Sequence, residues 1–398
     1  MIRNTATSVV LLIIVLVSAV FLAKATSEDP KYNLATFEGE PFVQSIAPRS
    51  IALTIAQYVS DDGERVALLV EDYDGEVVTG VDLVELGGVA SENPFEALAS
   101  VDRRNFETDV IRRANRTSVD VARLLPAGPP GMRHIGIGTN FPEHAQEANS
   151  DQVFHFPKFG AATPARTSVS APENSLLDYE VELCMRFDRP IETISDFDAA
   201  TKGVFLCGDF TDRIALIKLA DPDNLDSGFG FSDSKSGPGY FPTGPFLVVP
   251  NDWSSFVDDI RMMTHLNDAP RQDARGREMT LDFRQLTEQA IADISIERFF
   301  YRGAFYKLAP NGRLEADMTL MSGTSEGVIF TPPQRHDYID IVIAYVLAGG
   351  PLTGKSLTDF GADVFIKNEI ASGHFLQPGD VVGYEATYLG DIRVTVAP

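Results

Sequence analysis

The chain has 398 residues, 44% of them apolar and 26 of them phenylalanine, a composition that builds folded cores and excludes a disordered chain. The formal net charge is -24. A surface this acidic repels phosphate backbones and argues against nucleic acid and anionic membranes as partners.

In chain order, the first element is an N-terminal signal. Arg3 is followed by the apolar run Val9–Ala23, broken only by Ser18, and then by Ala23-Lys24-Ala25. This pattern reads as a secretory signal peptide over residues 1–25, with an uncleaved membrane anchor as the alternative. The run falls short of the roughly 20 apolar residues that a full span needs. Export makes the protein periplasmic or secreted, and a membrane becomes a partner only if the segment stays uncleaved. A short polar linker follows, and strands dominate from Leu34 to Gly88. Asp62-Gly63 and Asp74-Gly75 lie between apolar runs, which signals hairpins. Pro94 opens a helix-forming stretch that reaches residue 115. LLPAGPPG, residues 124–131, is a linker by composition and marks a domain boundary. Beyond it RHIGIG, LDYEVELCMRF, GVFLCGDF, GPFLVVP and GDVVGYEATYL read as strands, and residues 283–294 as an amphipathic helix. The expected class is α+β, built on a large mixed sheet.

The chemistry concentrates in Asp178-Tyr179-Glu180-Val181-Glu182-Leu183. On a strand, Glu180 and Glu182 share one face about 7 Å apart, with Val181 and Leu183 on the other. Two such carboxylates repel unless something positive lies between them, and a hard divalent cation is the simplest solution. Read by itself, the pattern also fits a solvated strand face. Asp209 follows the apolar run GVFLC. If the two strands are neighbours, three carboxylates converge and leave positions open for water and substrate. With Glu182 opposite Asp209, Cys184 and Cys207 also face each other, and a disulfide is feasible if their Cα atoms lie within about 7 Å.

GIGTNFPEHAQE, LLDYEVEL, LCGDFTDR, SKSG with FPTGPFLVVP, LND with RQ, LMSGTSEGV and LQPGDVVGYEATYLG occur in this order. The series resembles the successive motifs of the fumarylacetoacetate hydrolase superfamily over residues 132–330 and 373–392. The resemblance implies a mixed β-sandwich roll as the catalytic domain, residues 129–398, preceded by a small strand-rich domain, residues 26–128. It implies that Glu180, Glu182 and Asp209 bind Mg²⁺, with Mn²⁺ or Ca²⁺ as alternatives. It makes His144 and Glu147 an acid–base pair on a lid, and Lys235 the cation that meets developing enolate charge. Lys158, Arg213, Gln272 and Thr324 become substrate contacts. The implied reaction is hydrolysis of a carbon–carbon bond in a small anionic 1,3-dicarbonyl or 2-oxo acid, such as an acylpyruvate, by a homodimer. Decarboxylation, isomerisation and dehydration share the enolate and remain open, as does a non-catalytic metal-binding or assembly protein.

The chain departs from the family pattern at several places. Gly208 stands where relatives often have Asn, Ile214 follows Arg213 in place of an acid, and Ser325 replaces a proline. Residues 331–372 read as an insertion holding YIDIVIAYVLAGG, a strand or a helix. Residues 349–356 fit the phosphate-loop pattern G-x-x-x-x-G-K-S literally. Nucleotide binding there is set aside, because only 42 residues follow Ser356 and no further parallel strands remain to complete such a domain.

Overall fold

The computed structural model describes Ser18 and residues 36–148, 150, 152–221, 223–350, 354 and 356–398. The expected signal, residues 1–25, lies outside the described residues except for Ser18, and so do Pro351–Thr353 and Lys355 of the phosphate-loop-like stretch. The chain divides into two compact units.

The larger unit comprises residues 32–329 and 376–398. Its strands in chain order are β1 (Ala52–Val59), β2 (Arg65–Tyr73), β3 (Val77–Asp82), β4 (Thr117–Asp120), β5 (Arg133–Gly138), β6 (Phe154–Phe159), β7 (Arg166–Ser170), β8 (Leu177–Asp178), β9 (Val181–Phe187) and β10 (Lys202–Gly208). There follow β11 (Thr211–Asp212), β12 (Leu247–Pro250), β13 (Arg261–Leu266), β14 (Ala269–Arg275), β15 (Phe299–Tyr301), β16 (Ala304–Tyr306), β17 (Leu320–Met321), β18 (Val381–Ala386) and β19 (Gly390–Ala397). A ten-stranded sheet has the order β4-β3-β2-β1-β12-β10-β9-β17-β5-β6, and a five-stranded sheet the order β14-β13-β18-β19-β7. Apolar faces of both sheets meet in one core that includes Val181, Leu183, Val204, Leu206, Tyr384, Ile392 and Val394. The class is the expected α+β fold on large mixed sheets.

Local chemistry explains the elements. Gly63 and Gly75 take positive φ at the two hairpin turns, and Asp74 accepts hydrogen bonds from the N–H groups of Glu76 and Val77 at 3.0 and 2.8 Å. The helical stretch opens at Pro94, capped by Asn93, but stops at Ala99. Asp102 then caps a new turn at Arg104, so short helical pieces replace one continuous helix to residue 115. The helix over Phe283–Asp293 forms as expected, with a reciprocal capping box between Asp282 and Gln285.

The structure departs from the expected division at residues 124–131. β1 pairs antiparallel with β12, so the N-terminal strands extend the sheet that carries the acidic residues. The Pro/Gly stretch is itself fixed to that sheet: Leu125 N–H donates to Gln57 and Ala127 N–H to Gly244. A Cβ at Gly131 would lie 1.9 Å from the carbonyl oxygen of Asp317. Glycine here serves close backbone approach, which composition alone does not separate from a linker.

The smaller unit takes in residues 1–31 and 330–375 and contains the interval expected as an insertion. Its open alternative, strand or helix, resolves as a helix over Arg335–Leu347, followed by a second over Leu357–Ser372. Among the described residues, no helix is long and apolar enough to cross a membrane.

Candidate metal and acid–base centre

β9 alternates as the sequence requires. Val181, Leu183, Met185 and Phe187 enter the core between the sheets, while Cys184 lies in a separate apolar cluster with Cys207 and Phe205. β10 runs antiparallel to β9 with Cys207 opposite Glu182 and Gly208 opposite Val181. Asp209 N–H then donates to the Glu180 carbonyl at 2.9 Å. The expected register, Glu182 opposite Asp209, is therefore corrected by two residues. A shift of two preserves the face of every side chain, so the carboxylates still converge. A helix over Ile194–Ala199, rather than a tight turn, joins the two strands, so no turn type pins their register. Cys184 and Cys207 form a disulfide with a Cα–Cα distance of 6.0 Å.

One oxygen from each of Glu180, Glu182 and Asp209 lies within 4.8 Å of the others, and all three residues are buried. Three cations surround them. Lys235 Nζ is 2.7 Å from Glu180 Oε2 and 2.8 Å from Asp209 Oδ2, and it donates to Thr211 Oγ1 at 2.9 Å. Lys158 Nζ is 2.6 Å from Asp209 Oδ1 and donates also to the carbonyls of Lys235 and Tyr240. Arg213 reaches Asp178 through Nε at 2.8 Å and Glu180 through Nη2 at 2.9 Å. Burial alone would raise the Glu180 carboxyl, but Lys235 and Arg213 outweigh it and hold the pKa at about 2.

Glu182 differs from its neighbours. Its Oε2 accepts the Gly323 N–H at 2.9 Å, while its Oε1 is buried with no partner among the described residues. Burial, then the negative charges of Asp209 and Glu180, push its carboxyl well above the usual range. A buried, orphaned carboxylate oxygen beside two more carboxylates fits a hard divalent cation that prefers oxygen ligands. The donor set therefore suits the ion expected from the sequence.

His144 and Glu147 lie on a short helix, Pro142–Glu147, that opens with Pro142 after the buried Phe141. His144 Nδ1 is 3.0 Å from Glu147 Oε2, and Glu147 Oε1 accepts the Gly327 N–H at 3.0 Å. The imidazole is close enough to Glu180 to lower its pKa. Both side chains keep some exposure, unlike the carboxylates behind them.

The remaining sequence candidates, Lys158, Arg213, Gln272 and Thr324, are buried and engaged with protein groups. Gln272 is fully buried; its Oε1 accepts from Val181 N–H and Thr264 hydroxyl, and its Nε2 donates to Thr324 Oγ1 and the Ser325 carbonyl. The Thr324 hydroxyl donates a hydrogen bond to the Val181 carbonyl at 2.8 Å. These two residues brace the start of β9. Lys158 directs all its donors at protein oxygens, and Arg213 binds the carboxylates themselves.

Sequence reasoning missed Asp178, Thr211 and Gly323. Asp178 accepts from Arg213 and from the N–H groups of Tyr179 and Ile329. Its signal was present, since it continues the two-residue period of Glu180 and Glu182. Thr211 bridges Glu180 and Lys235. Gly323 contributes a backbone N–H from a residue with φ of 76°, which no side-chain motif reveals. A cavity of about 660 Å³ opens elsewhere, lined by Phe42, Asn251, Arg261 and Tyr388, and contains none of these groups.

Comparison with known proteins gives the following. The sequence profile described as fumarylacetoacetate (FAA) hydrolase C-terminal matches residues 133–397. An uncharacterized protein of Staphylococcus aureus (strain USA300) is 28% identical over 177 residues, 43% of this chain and 55% of that protein. The chain thus spans about half the length of the curated relatives it matches. A fumarylacetoacetate hydrolase from Exiguobacterium antarcticum superposes with a TM-score of 0.51 at 19% identity, covering 87% of this chain and 99% of that one. A 2-hydroxyhepta-2,4-diene-1,7-dioate isomerase from Mycobacterium marinum gives 0.50 at 16% identity, covering 87% and 98%. At these identities the likeness concerns the fold.

Proposed function

This chain belongs to the fumarylacetoacetate hydrolase family, and on that premise we propose that it is a divalent-metal-dependent hydrolase. It cleaves a carbon–carbon bond in a small anionic 1,3-dicarbonyl or 2-oxo acid. The observation that carries this reading is the convergence of Glu180, Glu182 and Asp209, with Glu182 Oε1 buried and unpartnered. These three residues would hold Mg²⁺, with Mn²⁺ or Ca²⁺ as alternatives. When bound, such an ion supplies Lewis-acid polarisation of substrate oxygens.

The chain's own residues divide the remaining work. His144, oriented by Glu147, takes a proton from the attacking water. The water oxygen adds to a keto carbon, the adjacent carbon–carbon bond breaks, and its electron pair remains as an enolate. Lys235, in contact with both Glu180 and Asp209, is the cation that would meet the charge developing on the enolate oxygen. The proton held by His144 returns to the enolate carbon. Arg213, Asp178 and Thr211 orient Glu180, while Gln272 and Thr324 hold the strand beneath it.

A second reading, isomerisation of the same substrate class, is favoured by the His144–Glu147 pair, since a proton shuttle needs no water. Among the structural neighbours is an isomerase by its printed name. We further infer export through residues 1–25 and a homodimeric assembly; the Cys184–Cys207 disulfide supports an oxidising compartment. Acylpyruvates and oxaloacetate, assayed with Mg²⁺ and Mn²⁺, test the proposal against Glu182→Ala. Two fragments signal hydrolysis, and one product of unchanged mass signals isomerisation. Turnover that survives Glu182→Ala overturns the metal reading.

A further inference from the structure

β18 alternates between the two sides of its sheet. Val382, Tyr384 and Ala386 turn inward and are buried, while Val381, Gly383 and Glu385 keep some exposure. Val382 and Ala386 suit an apolar core, but Tyr384 carries a hydroxyl into it. Its Oη is buried and has no hydrogen-bond partner among the described residues. A phenylalanine would fill the same space without stranding a polar atom. A hydroxyl kept here therefore implies an acceptor for its proton.

The ring takes that hydroxyl across the core to the acidic strands. A Cβ built at Gly208 would lie 2.6 Å from Tyr384 Cε2 and 3.0 Å from Cζ, the carbon that bears the hydroxyl. Gly208 precedes Asp209 and stands opposite Val181, the residue between Glu180 and Glu182. Any side chain at 208, including the Asn that relatives often have, would exclude the ring, so the glycine and the tyrosine are fitted to each other. Phe210 packs beside the ring, with centroids 6.2 Å apart. Burial first, then the negative charges of Glu180, Asp178 and Asp209, push the Tyr384 pKa well above the usual tyrosine range. The group is thus a neutral O–H donor beside a cluster of acceptors.

We propose that Tyr384 is a positioning residue of the ion site, its hydroxyl donating through one bridging water to the Glu180 carboxylate. No direct hydrogen bond joins the two, and a single water spans such a gap at little loss in strength. Arg213 and Thr211 hold Glu180 Oε1, and Lys235 holds Oε2. Tyr384 adds a hold from the five-stranded sheet, so both layers of the fold fix the carboxylate. The inference rests on the metal reading of Glu180, Glu182 and Asp209.

Calorimetric titration of the full, metal-free chain with Mn²⁺ tests it on the native protein, Tyr384→Phe and Tyr73→Phe. Tyr384→Phe keeps the ring and removes only the hydroxyl. It should weaken Mn²⁺ binding about tenfold while the urea midpoint holds or rises. Tyr73, whose hydroxyl is engaged by Asp391 and Arg166, is the structural control. Tyr73→Phe should lower the urea midpoint and leave Mn²⁺ affinity unchanged. Equal affinity of the native protein and Tyr384→Phe overturns the inference and leaves the metal reading standing. So does a lowered urea midpoint in Tyr384→Phe, or an equal loss of affinity in Tyr73→Phe, since either marks general loosening. Native protein that takes up no Mn²⁺ overturns the metal reading and the inference together.

Discussion

Cys184 and Cys207 join β9 to β10, each two residues along its strand from Glu182 and Asp209 respectively. The bond closes a loop with a sequence separation of 23. Reduction, or Cys184→Ser with Cys207→Ser, should lower stability by about 3 kcal/mol, read from urea unfolding with and without a dithiol. Unchanged midpoints would show that the strand pairing alone holds the two ligand-bearing segments together.

Glu182 provides the direct test of the metal. Mn²⁺ at a hundredfold excess over its dissociation constant should stabilise the protein by about 2.7 kcal/mol, visible as a rise in the thermal midpoint. Glu182→Gln should remove that rise. In the metal-free protein the same substitution should cost little, because the carboxyl it replaces is buried with an unpartnered oxygen and is pushed toward its neutral form.

Asp178 tests positioning. It holds Arg213, which in turn holds Glu180. Asp178→Asn should weaken Mn²⁺ binding by about 10- to 100-fold with the fold retained. Calorimetric titration of the metal checks this without reference to turnover. Equal affinity would show that Arg213 keeps Glu180 in place unaided.

Gln272 separates bracing from substrate contact. Its removal strands the Val181 N–H and the Thr264 hydroxyl in a buried position. Gln272→Ala should therefore destabilise the protein by about 2–4 kcal/mol in urea. A stable variant with a raised KM would instead restore it as a substrate contact.

His134, opposite Lys158 across β5 and β6, sets a pH dependence of stability. Burial pushes its pKa from 6.5 to about 3. Its Nε2 lies 3.0 Å from the Gly160 carbonyl, and its Nδ1 accepts the Thr319 N–H. The folded state thus binds fewer protons than the unfolded state between these values. The contribution is complete above pH 6.5 and is lost as pH falls through about 3, at up to about 1.4 kcal/mol per pH unit. Urea midpoints between pH 7 and 4 should fall more steeply for the native chain than for His134→Gln.

The acidic strand was legible because strand periodicity is local: Glu180 and Glu182, at alternate positions, declare a face before any fold is known. Asp209 was legible for the same reason, at the end of an apolar run. Register was not, since a helix separates β9 from β10 and the two-residue offset follows from packing. The depth of Lys158, Gln272 and Thr324 was not legible either. A lysine or glutamine in a motif has the same letter whether it meets a ligand or a neighbouring backbone, and only the ring of acceptors around it decides. The N-terminal block misled through composition. Proline and glycine at 124–131 mark a path that cannot join a ladder, and here that path is pinned against the sheet rather than spanning open solvent.

β12 receives β1 on one side and β10, the strand leading to Asp209, on the other. Cutting the gene at the Pro/Gly stretch to isolate residues 132–398 would therefore leave a raw strand edge one position from the carboxylates. Such a fragment would offer unpaired backbone groups to its own copies and would accumulate as aggregate. Any expression strategy for the chain must keep residues 52–120 attached.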